Sequence, residues 1–369
     1  MDGVNLDFPL AHAAKVLAKS RIPHRTFEQA IKRIWQTASV AQPGEVVICV
    51  GPSRVGKSRA IRDAMARFER PVDAQSEHSM PPVSRPVLSL RIRNSSKNAR
   101  LRSKDFYAQA LSKQHHPIFG FTDAVDHKGR TLATVIRDTA EDRLVEAFSQ
   151  TLIAEQTKFL VLDEIQHLRY MEGGRDGPIR MLDSLKTLAE EKGFVLVLAG
   201  AYPVLDFLEQ TPHLLGRSFD FEFARYRFSD DDKESFCAVL DTIEVLIPWQ
   251  GEPLATYLDY LLTNSLGCVG LLMKWFREAT THAGNDDRGA MQLSDLEASV
   301  LNRRKRQALL AEIDSGEARW HRNPPAGSEA DDQFRPASAP DNGDSKSPNP
   351  KRKKPFTAKN RNYSLGGRT

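Results

Sequence analysis

The chain has 369 residues, 40% of them hydrophobic and 27% charged, with a mean hydropathy of -0.46 and a formal net charge of +4. These values exclude collagenous, mucin-like and wholly disordered chains, and they allow two domains or one large domain with appendages. No window holds the roughly 20 successive apolar residues of a membrane helix, so no membrane partner is expected.

Cys49, Cys237 and Cys268 are odd in number and far apart. They make neither a disulfide framework nor a zinc knuckle, and a reducing, cytoplasmic compartment is expected. The start, Met1-Asp2-Gly3-Val4, lacks the basic-then-apolar pattern of a signal peptide. The charge divides unevenly. Residues 331–369 hold nine basic and four acidic residues, a net +5, which leaves -1 on residues 1–330. Anion binding by the body of the chain must therefore come from local patches.

In chain order, residues 1–40 mix apolar and basic positions at helical spacing, as in Phe27, Ala30, Ile31, Ile34 and Trp35, and predict a helical N-terminal segment. Residues 45–50 are a short apolar run between Pro43-Gly44 and Gly51-Pro52, the pattern of a buried parallel strand. Similar runs at 86–92, 158–162 and 194–198, and an alternating one at 219–223, predict four more strands. Helical stretches at 57–68, 130–153 and 179–191 separate them. This alternation predicts an α/β core, a doubly wound parallel sheet over residues 41–228. Residues 229–322 read as helices only, a small helical lid followed by C-terminal helices that include 301–310. From 323 to 369, Pro, Ser, Asn, Gly and Lys dominate, which predicts a disordered basic tail. Trp35, Met273 and Trp275 read as core. His115, His116, His167 and His213 have no partners at metal-ligand spacing and read as surface or cap residues.

Gly51-Pro52-Ser53-Arg54-Val55-Gly56-Lys57-Ser58 fills every fixed position of GxxxxGK[ST], after a predicted strand and before a predicted helix. Backbone N–H groups and the positive end of the helix surround phosphates in such a loop. Lys57 adds a charge near the β- and γ-phosphates, and the Ser58 hydroxyl is suited to Mg²⁺. ATP and Mg²⁺ are therefore the expected cofactors. Arg54 stands where many such loops carry Gly, which restricts the backbone or turns the side chain outward. Phe159-Leu160-Val161-Leu162-Asp163-Glu164 ends a buried strand in two carboxylates, at the end where open α/β sheets bind ligands. Asp163 is expected to hold Mg²⁺ through water, and Glu164 to polarise the attacking water as general base. The alternative is an acidic strand end that caps the next helix, Ile165-Gln166-His167-Leu168.

The adjacent Asp-Glu resembles the form seen in AAA+ ATPases. That resemblance implies a polar sensor after Phe194-Val195-Leu196-Val197-Leu198-Ala199-Gly200, where this chain has Ala201. It also implies an arginine finger just before the last strand. Arg217, in His213-Leu214-Leu215-Gly216-Arg217-Ser218-Phe219, is the candidate, with Arg225 and Arg227 as fallbacks and a surface ion pair as the alternative. A finger acts on a neighbour's phosphates, so a homo-oligomer is implied.

More particularly, residues 20–285 resemble the AAA+ regulators of DNA transposition of the TnsC/TniB type. The likeness rests on the loop at 51–58, on Leu160-Val161-Leu162-Asp163-Glu164-Ile165-Gln166-His167-Leu168, and on Leu182-Asp183-Ser184-Leu185-Lys186-Thr187-Leu188-Ala189-Glu190. Val197-Leu198-Ala199-Gly200 and Leu215-Gly216-Arg217-Ser218-Phe219 continue it. The resemblance implies an ATP-dependent ring or helical filament on duplex DNA that connects a target-selector protein to transposase subunits. The lid's Leu266-Gly267-Cys268-Val269-Gly270-Leu271-Leu272 departs from the pattern, with no second-sensor arginine near the helix start.

Independently of the resemblance, residues 85–104 hold seven basic residues and no acidic one. Arg91, Arg93, Lys97, Arg100, Arg102 and Lys104, with Ser103 as a hydroxyl donor, are the candidate phosphate contacts to DNA; a solvated basic loop is the alternative. Lys351-Arg352-Lys353-Lys354 adds nonspecific attraction or, with Phe356 and Tyr363, belongs to a docking peptide. Arg303-Arg304-Lys305-Arg306 is either a second phosphate contact or a solvated face. The expectation is an adaptor for DNA insertion, not the recombinase, since no carboxylate triad stands outside the ATP site. A signalling or secretion ATPase acting on a protein, and a weakly hydrolysing nucleotide-gated scaffold, are the alternatives.

Overall fold

The computed structural model describes residues 9–69, 84–93, 101–120, 131–285 and 288–321. Lys97, Arg100, Phe356, Tyr363 and the cluster at 351–354 lie outside these. The described residues fall within one compact unit. Five strands, β1 (Val46–Val50), β2 (Val87–Arg91), β3 (Phe159–Asp163), β4 (Val195–Gly200) and β5 (Ser218–Glu222), form a parallel sheet in the order β2-β3-β4-β1-β5. β1 and β4 are buried along their whole length. Helices cover both faces, which is why these strands read as unbroken apolar runs. Val46, Ile48 and Val50 enter one core with Leu160, Leu162, Leu196 and Leu198. Val47 and Cys49 enter the other with Val161, Val195, Val197 and Ala199.

The helices in chain order begin with α1 (Pro9–Lys19), α2 (Arg25–Val40), α3 (Lys57–Met65), α4 (Ser103–Lys113), α5 (Leu132–Asp138), α6 (Glu141–Ala154) and α7 (Asp176–Lys192). They continue with α8 (Leu205–Leu208), α9 (Pro212–Leu215), α10 (Asp230–Leu246), α11 (Leu258–Asn264), α12 (Val269–Asn285), α13 (Leu293–Ala298) and α14 (Arg303–Trp320). α2 and α3 close one face of the sheet. α4, α6 and α7 close the other, with Ile313 of α14. A third core joins α1 to α10 and α12 through Leu10, Leu17, Phe236, Leu240, Leu272 and Phe276. This parallel sheet with helices on both faces is the AAA+ P-loop fold, and no described helix is long and apolar enough to cross a membrane.

Three local expectations are corrected. The helix expected at 130–153 is broken at Thr139 and Ala140, both extended, with ψ of 137 and 144°. The Thr139 hydroxyl donates to the Val135 carbonyl at 2.7 Å and closes α5, while Glu141 and Asp142 favour a fresh N-terminus. The helix expected at 57–68 stops at Met65, and Phe68 packs on Phe159 with ring centroids 4.6 Å apart. Trp35 is not core. The buried stripe of α2 is Phe27, Ala30, Ile31, Ile34 and Ala38. Trp35 lies one position outside that stripe, 37% exposed, with the Arg67 guanidinium 5.3 Å over its ring. Met273 is half-buried, and Trp275 is buried with its indole N–H on the Leu296 carbonyl.

The lid meets the sheet where two glycines permit it. Gly267 has φ +70°, and a Cβ there would lie 1.9 Å from the Tyr226 carbonyl oxygen. Tyr226 N–H donates to the Gly267 carbonyl at 3.0 Å. A Cβ on Gly270 would lie 2.2 Å from the Arg54 carbonyl oxygen, so the start of α12 rests directly on the phosphate loop. Gly267→Ala is expected to lose about 1–3 kcal/mol of unfolding free energy through strain and collision. Gly289→Ala, where a Cβ meets nothing within 4 Å, is expected to match the parent. Denaturant midpoints of the two variants check this.

Candidate functional site

The loop at 51–58 joins the end of β1 to the start of α3. Gly56, at φ +123°, is the N-cap of α3 and supplies no side-chain cap. The first N–H groups of a helix have no partner within it. Here the loop runs directly into that helix start, a place that suits an anion. Lys57 Nζ donates to the carbonyls of Gly51 at 2.9 Å and Pro52 at 2.7 Å. Burial lowers the Lys57 pKa, against the opposing pull of Cys49, Glu164, Cys268 and Asp163. Arg54 is exposed and left-handed, at φ +69°. Its side chain faces outward, and its backbone takes a conformation that costs a non-glycine residue about 1–2 kcal/mol.

β3 carries Asp163 and Glu164 to the same end of the sheet. Ser58 and Asp163 line one open cavity along β2, together with Arg62, Arg91 and Arg93. The Asp163 carboxylate accepts the Glu164 N–H at 2.9 Å. Glu164 is left-handed, at φ 59°, and opens a 3-10 turn, Ile165–Tyr170. Its carboxylate accepts from Arg91 Nη2 at 2.9 Å and from the Gln166 amide. Burial raises the Glu164 pKa, but the bonds from Gln166 and Arg91 and the charge of Lys57 outweigh it and leave the carboxyl below its ordinary value. The group therefore stays ionised at neutral pH.

Ala201 brings no polar side chain to the end of β4, yet that place is not apolar. Gln166 Oε1 accepts the Ala201 N–H at 3.1 Å while its amide donates to Glu164. Gln166 thus joins β4 to the acidic pair. Sequence reasoning includes Gln166 in a motif but assigns it no role; its place two residues after Glu164 is the available signal.

The arginines separate into two groups. Val46 N–H donates to the Arg217 carbonyl, so Arg217 precedes the N-terminal end of β5 while the phosphate loop follows the C-terminal end of β1. Five strand residues put it roughly 16 Å from its own loop. It is exposed and paired with Glu190. Arg225 and Arg227 follow β5 at the loop's own end. Arg225 is bidentate on Glu317, and Arg227 lies 3.5 Å from the same carboxylate.

Of the described DNA candidates, three are engaged within the chain. Arg91 holds Glu164. Arg102 pairs with Asp105 at 2.9 and 3.1 Å at the start of α4. Lys104 Nζ donates to the carbonyls of Arg137 at 3.3 Å and Thr139 at 2.7 Å, at the C-terminal end of α5. Ser103 is the first residue of α4, and Arg93 is exposed beyond β2. Leu101 N–H donates to the Tyr170 carbonyl at 3.1 Å and Glu172 N–H to the Leu101 carbonyl at 2.9 Å, which ties the basic segment to the turn that Glu164 opens.

A second cavity, of about 130 Å³, lies between the loop and the lid, lined by Ile22, His24, Val55, Gly56, Val269 and Met273. Its lining is mostly apolar, as suits a flat ring. His24 Nδ1 accepts the Phe27 N–H at 3.4 Å and lies 3.1 Å from the Tyr226 hydroxyl. Burial lowers the His24 pKa to about 4, so the ring is neutral at pH 7. None of these residues stands out as a group in the sequence, because they come together from the segment around α2, the loop and α12.

Residues 41–208 match the family model described as an AAA domain. Among solved structures, the chain is similar to the Aeropyrum pernix ORC1 protein in complex with DNA, at 16% identity over 78% of this chain and 68% of that one, with a TM-score of 0.50. It is similar to Drosophila ORC bound to DNA at 16% identity over 79% of this chain and 65% of that one, with a TM-score of 0.48. A Walker-type ATPase of Pyrococcus abyssi matches at 15% identity over 80% of this chain and 75% of that one, with a TM-score of 0.46. At such identities the likeness is one of fold. A search of curated proteins finds no match.

The Arg91–Glu164 pair makes a prediction about charge. A depressed carboxyl pKa contributes stability that is present above its unfolded value and lost as pH falls through the folded one. Arg91→Ala should move the Glu164 titration upward, since burial then acts with one fewer opposing bond. The variant should be less stable than the parent at pH 7, and the gap should close in acid, once the pH falls below the folded-state titration of Glu164. Carboxyl-carbon NMR titration and denaturation at the two pH values read both effects.

Proposed function

We propose that this chain, whose residues 41–208 match the model described as an AAA domain, is an ATP-dependent, DNA-binding AAA+ regulator of transposition that oligomerises on duplex DNA and connects target selection to the transposase. The observation that carries the nucleotide part is the convergence of Lys57, Ser58, Asp163 and Glu164 at the C-terminal ends of β1 and β3. Gly51, Pro52, Ser53, Arg54, Val55 and Gly56 would wrap the phosphates with Lys57 between them. Ser58 and Asp163 would hold Mg²⁺, which supplies charge neutralisation on the phosphate oxygens. Glu164, ionised and braced by Gln166, would accept a proton from the attacking water. The small cavity beside His24 would take the base.

Arg217 is too far from its own loop to serve it, which favours action on a neighbouring copy in a ring or helical filament. Duplex DNA as a partner is supported by the acid-free basic stretch at 85–104 and by the fold shared with the ORC1 protein, which is in complex with DNA. Of the described candidates, Arg93 and Ser103 are the contacts best placed for it; Arg91, Arg102 and Lys104 would first have to leave their intrachain partners, and Lys97 and Arg100 lie outside the described residues. The transposase and target-selector partners rest on the resemblance of motif order alone. Ala201 favours a second reading, a nucleotide-gated scaffold that hydrolyses slowly. Against that stands Gln166, which supplies the polar group at the end of β4.

Lys57→Ala is expected to abolish ATP-dependent assembly and retention of duplex DNA, measured by filter binding and by imaging with a slowly hydrolysed analogue. Glu164→Gln should keep DNA retention while lowering phosphate release about 10²–10⁴-fold. Gln166→Leu should lower release with a smaller loss. DNA retention should collapse between low and moderate salt. Retention by Lys57→Ala equal to the parent would overturn the reading; equal, near-background release by the parent and Glu164→Gln would favour the scaffold.

A further inference from the structure

The function above leaves α14 without a role, although this helix touches the phosphate loop. Glu312 Oε1 accepts from the Ser53 hydroxyl at 3.4 Å, a direct contact between α14 and the loop. Close by on the helix, Ile313 is buried and Gly316 lies flat on the Tyr202 ring, where a Cβ would come within 2.1 Å. Glu317 accepts from Arg225 Nε at 2.8 Å and Nη2 at 3.1 Å, and Asp314 accepts from Nη2 at 3.3 Å. Three carboxylates of one helix thus face the loop and a single guanidinium beside it.

The backbone fixes where that guanidinium starts. Phe223 N–H donates to the Val50 carbonyl at 2.7 Å, immediately before the loop, and Tyr226 N–H donates to the Gly267 carbonyl, immediately before the lid helix. Arg225 therefore stands between the loop and the start of α12, with its side chain only 18% exposed. Cys268, at that helix start, lies within electrostatic reach of both Arg225 and Lys57. The lid helix itself has no arginine at its start, and the linker brings one to the same place.

We propose that Arg225 is a phosphate contact of the chain's own nucleotide site, kept by Glu317 and Asp314 until a nucleoside triphosphate takes it over, and that this exchange loosens α14. The proposal rests on the nucleotide-binding reading above. A guanidinium fork fits carboxylate and phosphate oxygens equally well, so the exchange conserves its hydrogen bonds. Phosphates in the loop place like charge beside Glu312, which disfavours the docked helix. A diphosphate brings less charge and no γ-oxygens. The far end of α14 stays attached, because Arg319 holds Glu209 at 2.6 Å and also bonds Asp206. Loosening is therefore confined to the middle of the helix.

The test uses the full chain with Mg²⁺ and either ADP or a slowly hydrolysed ATP analogue, by calorimetry. Arg225→Ala is expected to weaken the analogue about tenfold and ADP by less than about twofold. Glu317→Gln keeps the shape, weakens the hold on Arg225, and is expected to tighten the analogue at least about threefold. Amide exchange in the middle of α14, around 309–317, should rise with the analogue and not with ADP. A merely structural anchor predicts the opposite pattern: both variants weaken both nucleotides, and α14 exchange is indifferent to the γ-phosphate. That result would overturn the proposal. If the parent binds both nucleotides and Lys57→Ala abolishes them, an unchanged analogue-to-ADP ratio in Arg225→Ala and Glu317→Gln removes this inference alone. If the parent binds neither, the nucleotide reading falls with it.

Discussion

A desolvated ammonium drawn in among carbonyls is the constraint around which this molecule is arranged. Lys57 is half-buried in its own loop, where burial lowers its pKa, and such a group must be hydrogen-bonded. Two carbonyls of the loop satisfy it, and that requires the loop to curl tightly. The curl is clasped from outside. A Cβ on Gly51 would lie 2.4 Å from the Phe223 carbonyl oxygen, and Gly270 brings the lid helix against the Arg54 carbonyl. The cations on either side follow the same rule. Arg91 is on Glu164, and Arg225 is on Glu317. Each has a carboxylate partner that an incoming polyanion would have to replace, so binding at this site is an exchange of partners rather than a filling of space.

The parts legible in the sequence are those whose physics is local. The runs that form β1, β3 and β4 are apolar because both faces of the sheet are covered, and a five- or six-residue run bounded by Gly and Pro says so without reference to the rest of the chain. The phosphate loop is equally local, because its glycines and lysine are adjacent in the chain. What escapes a sequence reading has its cause far away. Gln166 matters because Ala201, 35 residues on, has an N–H to satisfy. Arg225 finds its partner 92 residues away on α14. Trp35 differs from expectation by one helical position, because the pattern Phe27, Ala30, Ile31, Ile34 continues to Ala38 and leaves Trp35 on the rim.

The basic stretch at 85–104 shows the same limit from the side of charge. A window of seven cations without an acid reads as free positive charge. Folding supplies acceptors the window cannot contain. Glu164 comes from the end of the neighbouring strand, Asp105 from the first residue past the window, and two carbonyls from the end of α5. A helix C-terminus presents unpaired carbonyls that favour a cation, so Lys104 serves α5 before it can serve a phosphate. The charge that remains outward belongs to fewer residues than the count suggests.

Those same bonds give the stretch a connection that a solvated loop would lack. Gln109 of α4 donates to the Arg91 carbonyl at 2.8 Å, and Arg91 holds Glu164. Leu101, just before α4, is bridged to Tyr170 and Glu172, at the far end of the turn that Glu164 opens. α4 is thus joined to the catalytic candidate by two separate routes, one through a side chain and one through backbone. Glu164 is held in a left-handed conformation that only its surroundings maintain. Under the DNA-binding reading, a phosphate that draws Arg102 away from Asp105 acts on the N-terminus of the helix that positions Arg91. Under that reading, the acid-base candidate and the basic segment respond as one unit.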